Sequence, residues 1–153
     1  MDGYERRRDE YRVSTDRDLL DIEVIHGFLE RSYWSPGVTK DVVAKAVENS
    51  LCFGLYLEDA QIGFARFVTD YARHAYLCDV FVLPEFRGRK LGQWLVQCAV
   101  ECPSINGVRT ISLDTSDAHG LYEKLGFVAQ ANSTDHMALK FDMPWFRPEL
   151  IDE

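Results

Sequence analysis

The segment PEFRGRKLGQWLV, residues 84–96, sets Arg87, Arg89 and Lys90 between Gly88 and Gly92. The chain around it is acidic, with a formal net charge of −8. Leu91, Trp94, Leu95, Cys98, Ala99 and Cys102 follow at helical spacing, so the cations stand where a helix begins. That is the positive end of the helix dipole, where cations are unfavourable unless an anion lies among them. The first turn also carries backbone N–H groups with no partner inside the helix. Glycine admits an anion close to the backbone, and arginine adds charge-assisted bonds worth about 1.5–3 kcal/mol each. The pattern reads as a phosphate cradle; the alternative is a solvated basic turn followed by a packing glycine. A Walker A loop is excluded because Gly92 is followed by Gln93, and the three glycines of a GxGxxG dinucleotide fingerprint are absent.

A second group with chemical potential is Asp79, set in the apolar run AYLCDVFVL. An ionised carboxylate there is costly unless it has a partner or a task. It is a candidate general base, with a structural carboxylate bonded to a neighbouring element as the alternative. Strict alternation places Asp79 and Phe81 on one face of the strand, Val80 and Val82 on the other. Asp70 and Glu85 are further carboxylates that could serve, and water could relay the proton. His119 and Tyr122, three residues apart, share a helix face. His26, His74 and His136 have no evident partner in the sequence.

These residues need elements to position them. YRVST near the start reads as a strand. DLLDIEVIHGFLERS and TKDVVAKAVENS read as helices, the second with Thr39 as N-cap. LCFGLYLE and IGFARFVT, parted by a short polar turn, form a hairpin, and AYLCDVFVL is a third strand ending at Pro84. The helix after residue 90 closes at Pro103 and Asn106-Gly107. RTISLDT is a strand, and SDAHGLYEKLGF is a short helix stopped by Gly126 as a left-handed C-cap. FVAQ and HMALKFD are expected as two final strands. The result is an α/β (α+β) fold: a mixed sheet with helices on both faces.

VLPEFRGRKLGQWLV resembles the acyl-CoA pyrophosphate loop of the GNAT superfamily of N-acetyltransferases, whose pattern is Arg/Gln-x-x-Gly-x-Gly/Ala after Val-x-Pro. Val82, Pro84, Arg87 and Gly92 match, and Lys90 stands where the family usually has its middle glycine. TSDAHGLYEKLGF is similar to the family's late segment, with Ala118, Leu121, Tyr122, Gly126 and Phe127 matching and Thr115 replacing an asparagine. The resemblance covers residues 11 to 142 and implies a mostly antiparallel sheet of about six to seven strands. It implies acetyl-CoA as donor, with its pantetheine arm in a gap between the strand ending at Val82 and the strand at 110–114. Phe81, Val82 and Leu83 would meet the pantetheine. Arg87, Gly88, Arg89, Lys90, Leu91 and Gly92 would meet the pyrophosphate. Thr115, Ala118, His119 and Tyr122 would border the cofactor. Tyr122 becomes the general acid and Asp79 the first candidate for base. Tyr33, Trp34, Asp70 and Tyr71 become candidates for the acceptor pocket; Trp145 and Phe146 belong there or to a tail packed on the body.

With 153 residues, 46% of them hydrophobic, the chain is expected to be one domain over 1–153, with 1–10 and 144–153 as peripheral tails. No apolar run approaches the roughly 20 residues of a membrane span. The acidic balance argues against nucleic acid and anionic membrane. The four cysteines lie in apolar segments, which suggests buried free thiols, no metal and a cytoplasmic setting. The function expected is transfer of acetyl from acetyl-CoA to a primary amine of a small molecule, by a monomer or homodimer. The alternatives are an acyl-CoA sensor of the same fold, or acetylation of a protein or peptide amine.

Overall fold

The computed structural model describes residues 3–130 and 135–150. Its sheet has six strands, β1 (Glu5–Arg8), β2 (Tyr11–Ser14), β3 (Leu51–Leu57), β4 (Ala60–Thr69), β5 (His74–Val82) and β6 (Thr110–Ser112), in that spatial order. Every neighbouring pair is antiparallel except β5 and β6, which run parallel. Among the described residues four α-helices cover the sheet: α1 (Ile22–Leu29), α2 (Lys40–Glu48), α3 (Leu91–Val100) and α4 (His119–Glu123). Asp21 caps α1 by accepting from the Glu23 and Val24 amides, and Thr39 caps α2 by accepting from Val42.

The helices divide between the two faces, each with its own core. Leu91, Trp94, Leu95, Cys98, Ala99 and Cys102 of the α3 segment bury against Val13, Phe53, Leu55, Phe67 and Leu77, and α4 packs there through Leu121 and Tyr122. On the opposite face Ile25, Leu29 and Val43 of α1 and α2 meet Cys52, Phe64 and Phe81. The six apolar positions read at helical spacing after residue 90 are thus the ones that bury. Gly126, at φ +96°, ends the α4 turn as the expected left-handed residue.

Two segments differ from the sequence reading. Residues 5–8, expected in a peripheral tail, pair with 11–14 as edge strand β1. Residues 127–130 and 136–142, expected as two closing strands, are irregular. Val128, Met137, Leu139 and Phe141 are 71–91% exposed, so the side chains that suggested strands have no core to face among the described residues. Strand propensity expresses packing against neighbours, and without them the pattern alone does not order the backbone.

Leu95 is fully buried between α3 and the sheet. Leu95→Ala should lower the unfolding free energy by about 2–5 kcal/mol in urea titration. A loss below about 1 kcal/mol would mean that α3 does not rest on this core.

Candidate active site

The cleft begins where two strands part. β6 pairs with β5 only along His74–Tyr76, and β5 then continues to Val82 without it. Beyond β6 the chain turns into the 113–118 loop, leaving a cleft of about 1060 Å³ between that loop and β5. Its floor is Tyr76 to Val82, and its ends are the 86–93 loop and the α1–α2 connection. β5 also carries an extra residue. Phe64 faces Phe81 and Arg66 faces Cys78, so Ala65 opposes both Asp79 and Val80 in a β-bulge. Asp79 takes a left-handed φ of +55° there. The bulge breaks strict alternation. Ala75 and Leu77 point into the α3-side core before it, Val80 and Val82 after it.

The bulge therefore delivers Asp79 to the α1 side, as expected for its relation to Phe81, but with two partners. One carboxylate oxygen accepts from Arg66 Nε at 2.6 Å and the other from Trp34 Nε1 at 2.9 Å. Arg66 Nη1 donates to Ser50 Oγ at 3.0 Å. Burial works against the charge on Arg66, and Asp79, ahead of the Cys78 and Cys52 thiols, more than offsets it, so its pKa is raised.

At the other end, Pro84–Phe86 forms a tight turn and Arg87 Nε donates to the Val82 carbonyl at 3.1 Å, holding the guanidinium beside the cleft. Lys90 is the N-cap of α3, in left-handed backbone at φ +60° and without a side-chain cap bond. It thus takes by strain the conformation that glycine adopts freely at this position. The first turn of α3 holds no acidic residue, so its outward N–H groups are open to an anion. Arg87, Gly88, Lys90, Leu91 and Gly92 line the cleft. Arg89 does not. Its guanidinium donates to Tyr11 Oη at 2.8 Å and covers the Phe86 ring. Lys124 lines the cleft instead, a cation that the sequence motif did not mark.

Tyr122 faces the cleft from α4, edge-on to Phe127. Its hydroxyl bonds to none of the described residues. Burial, with Tyr33 and Asp117 nearby, pushes its pKa up to about 12, so it is protonated at neutral pH. Thr115 and Ala118 also line the cleft, and the Thr115 hydroxyl accepts from the Ala118 amide at 3.1 Å. His119 is exposed and lies outside the lining. Phe81 and Val82 lie in the floor, and Leu83 packs behind it on the α1-side core.

The aromatic wall comprises Tyr33, Trp34 and Phe28. Tyr33 Oη lies 3.4 Å from Asp117 Oδ1 and accepts from the Ser116 amide at 3.5 Å, so the α1–α2 connection reaches across to the 113–118 loop. Asp70 and Tyr71 are elsewhere, in the β4–β5 turn. Asp70 accepts from the Arg73, Ala72 and His74 amides, and these bonds hold its pKa down to about 2. Tyr76 and Asp114, joined at 2.6 Å, belong to the lining although no motif contains them. Trp145 packs on the α1-side core, and the Arg147 amide donates to the Pro36 carbonyl at 2.7 Å, bracing the connection from outside. Among the described residues no cluster of three His, Cys, Asp or Glu could hold a metal. No helix among them is long and apolar enough to cross a membrane.

The Tyr122 placement is open to spectroscopy. In a difference titration at 295 nm, wild type minus Tyr122→Phe should show one phenol ionising near pH 12. A lost phenol that titrates near the ordinary value of about 10 would place Tyr122 in solvent.

Comparison with known proteins joins this geometry to a family. The family described as acetyltransferase (GNAT) domain matches residues 48–129. A Gibberella zeae protein named as an acetyltransferase is 31% identical over 140 residues, covering 76% of this chain and 78% of that one. A Bacillus subtilis protein named as an alanine N-acetyltransferase of ribosomal protein bS18 is 27% identical, covering 71% of this chain and 75% of that one. A Xanthomonas campestris crystal structure assigned to the GNAT family superposes with a TM-score of 0.82 at 42% identity, over 86% of this chain and 93% of that one. The chain belongs to the GNAT family of acetyltransferases.

Proposed function

We propose that the protein moves an acetyl group from acetyl-CoA to a primary amine of a small molecule, by direct attack of the amine within a ternary complex. The observation that carries this reading is a cleft with cations and open N–H groups at one end and, in its wall, a protonated Tyr122 whose hydroxyl bonds to none of the described residues. Arg87, Lys90 and Lys124, with the first turn of α3, suit the phosphates of the donor. The open edge of β5 offers backbone groups to the pantetheine amides. The donor supplies an acetyl group activated as a thioester.

The residues then have separable tasks. The aromatic wall and the β5 floor hold the amine and the thioester together, which lowers the entropic barrier. As nitrogen bonds to the carbonyl carbon, the carbon–sulfur bond breaks, and Tyr122 supplies a proton to the departing sulfur. The proton shed by the nitrogen leaves through water in the open cleft, and water returns a proton to the Tyr122 phenolate. The contacts that tie the α1–α2 connection to β5 and to the 113–118 loop favour a small acceptor over an extended polypeptide.

Two measurements test this. Tyr122→Phe should lower kcat by roughly 10- to 10³-fold while leaving acetyl-CoA affinity nearly unchanged. Equal kcat in the two proteins would remove Tyr122 as the acid, and a wild type that binds acetyl-CoA but acetylates no amine would leave the sensor reading. In calorimetry, Arg87→Ala should weaken acetyl-CoA binding by roughly 10- to 100-fold, whereas Arg89→Ala should leave it within about twofold. The reverse order would show that Arg89 turns from Tyr11 to the phosphates.

A further inference from the structure

We infer that Asp79 is a positioning residue rather than the general base: it fixes the Trp34 indole, and Trp34 in turn sets the size of acceptor the cleft admits. The inference rests on the acetyltransferase reading above. Trp34 lies in a loop and is 37% exposed, so packing alone holds it loosely. Its indole is instead anchored from below. Asp79 takes the Trp34 N–H on one oxygen and Arg66 on the other, and Arg66 continues to Ser50, which is 4% exposed. The Arg66 and Asp79 side chains are 16% and 10% exposed, so the chain of bonds is sheltered from water along most of its length. Such bonds are strong and directional where solvent is excluded.

The ring contacts complete the seat. Tyr33 meets the Trp34 ring edge-on at 4.9 Å, and Phe28 lies against it at 6.2 Å while stacking on Phe81 at 4.1 Å. The indole is therefore held at its N–H and over its ring by groups rooted in β4, β5 and α1. The bulge is what makes this possible, because it turns Asp79 onto the face that carries Arg66 and Trp34. Both carboxylate oxygens are thereby committed to donors of the fold.

The test is steady-state kinetics on a series of primary amines of increasing bulk at saturating acetyl-CoA, with wild type, Asp79→Asn, Trp34→Phe, the double variant and Trp34→Ala. Trp34→Phe keeps an aromatic ring but loses the N–H donor together with part of the indole's bulk, and its partly exposed position makes it a safe variant should Asp79→Asn fold poorly. Asp79→Asn and Trp34→Phe should each raise the amine KM by roughly 10- to 100-fold. Acetyl-CoA affinity and the acidic limb of the pH profile should stay as in wild type, any fall in kcat should be alike in the two single variants, and the double variant should be no worse than either. Trp34→Ala should accept bulkier amines than wild type does. In the ¹H–¹⁵N spectrum, the indole resonance missing from Trp34→Phe should be the one that shifts in Asp79→Asn. Loss of kcat and of the acidic limb in Asp79→Asn, with normal kinetics in Trp34→Phe, would overturn the inference and make Asp79 the base. An unmoved Trp34 indole resonance would overturn it without reference to turnover. A wild type that turns over no amine would instead sink the acetyltransferase reading, and the acceptor role of Trp34 with it.

Discussion

β5 holds one residue more than β4 can pair, and it outruns β6 by two-thirds of its length. A strand that loses its neighbour exposes backbone N–H and C=O groups that must find other partners. In most folds such an edge is a liability. Here it forms the floor of a cleft whose far wall is the 113–118 loop, so a bound ligand can complete the missing ladder. The bulge beside it decides which side chains reach that floor. It sends Val80 and Val82 into the α3-side core and turns Asp79 toward Arg66 and Trp34 on the other side. The two helical layers are thus tied to one irregularity in one strand.

Charge is divided along the cleft in a way that net composition conceals. The chain is acidic overall, yet Arg87 and Lys90 stand at the start of α3, a helix without a side-chain cap, and Lys124 adds a third cation to the lining. Lys90 holds a left-handed backbone that costs about 1–2 kcal/mol for a residue with a Cβ. A structural turn would be better served by glycine, so the lysine is understandable if its charge is used. Toward the aromatic wall Arg66 is largely buried and paired with Asp79. Removing one partner of such a pair is far more damaging than the pair itself is stabilising. Arg66 and Asp79 therefore fix geometry more than they add stability.

The sequence made most of this visible because periodicity and local chemistry agree. The apolar positions of α3, the Thr39 cap and the Gly126 stop are local features, and the structure keeps them. The 84–93 loop was legible as cations at a helix start, yet side-chain direction within it was not. Nothing in RGRK says that Arg87 turns to the cleft and Arg89 to Tyr11, since that depends on β2, far away in sequence. Lys124, Tyr76 and Asp114 were missed for the same reason: they join the site through the meeting of separate elements. Asp79 was noticed as a carboxylate in an apolar run, but its partners lie 13 and 45 residues away. Asp70 and Tyr71 looked suitable by type and occupy a turn outside the cleft. The closing strands failed because an alternating pattern needs a neighbour, and none of the described residues supplies one.

The central claim is that one ligand spans the β5 edge and the α3 loop. Hydrogen exchange of the backbone amides, with and without acetyl-CoA, reads this directly. The account predicts added protection along residues 77–83, in the 87–93 loop and in 113–122, with β1 to β3 unchanged. Protection confined to the 87–93 loop, or appearing on the opposite edge of the sheet, would contradict it.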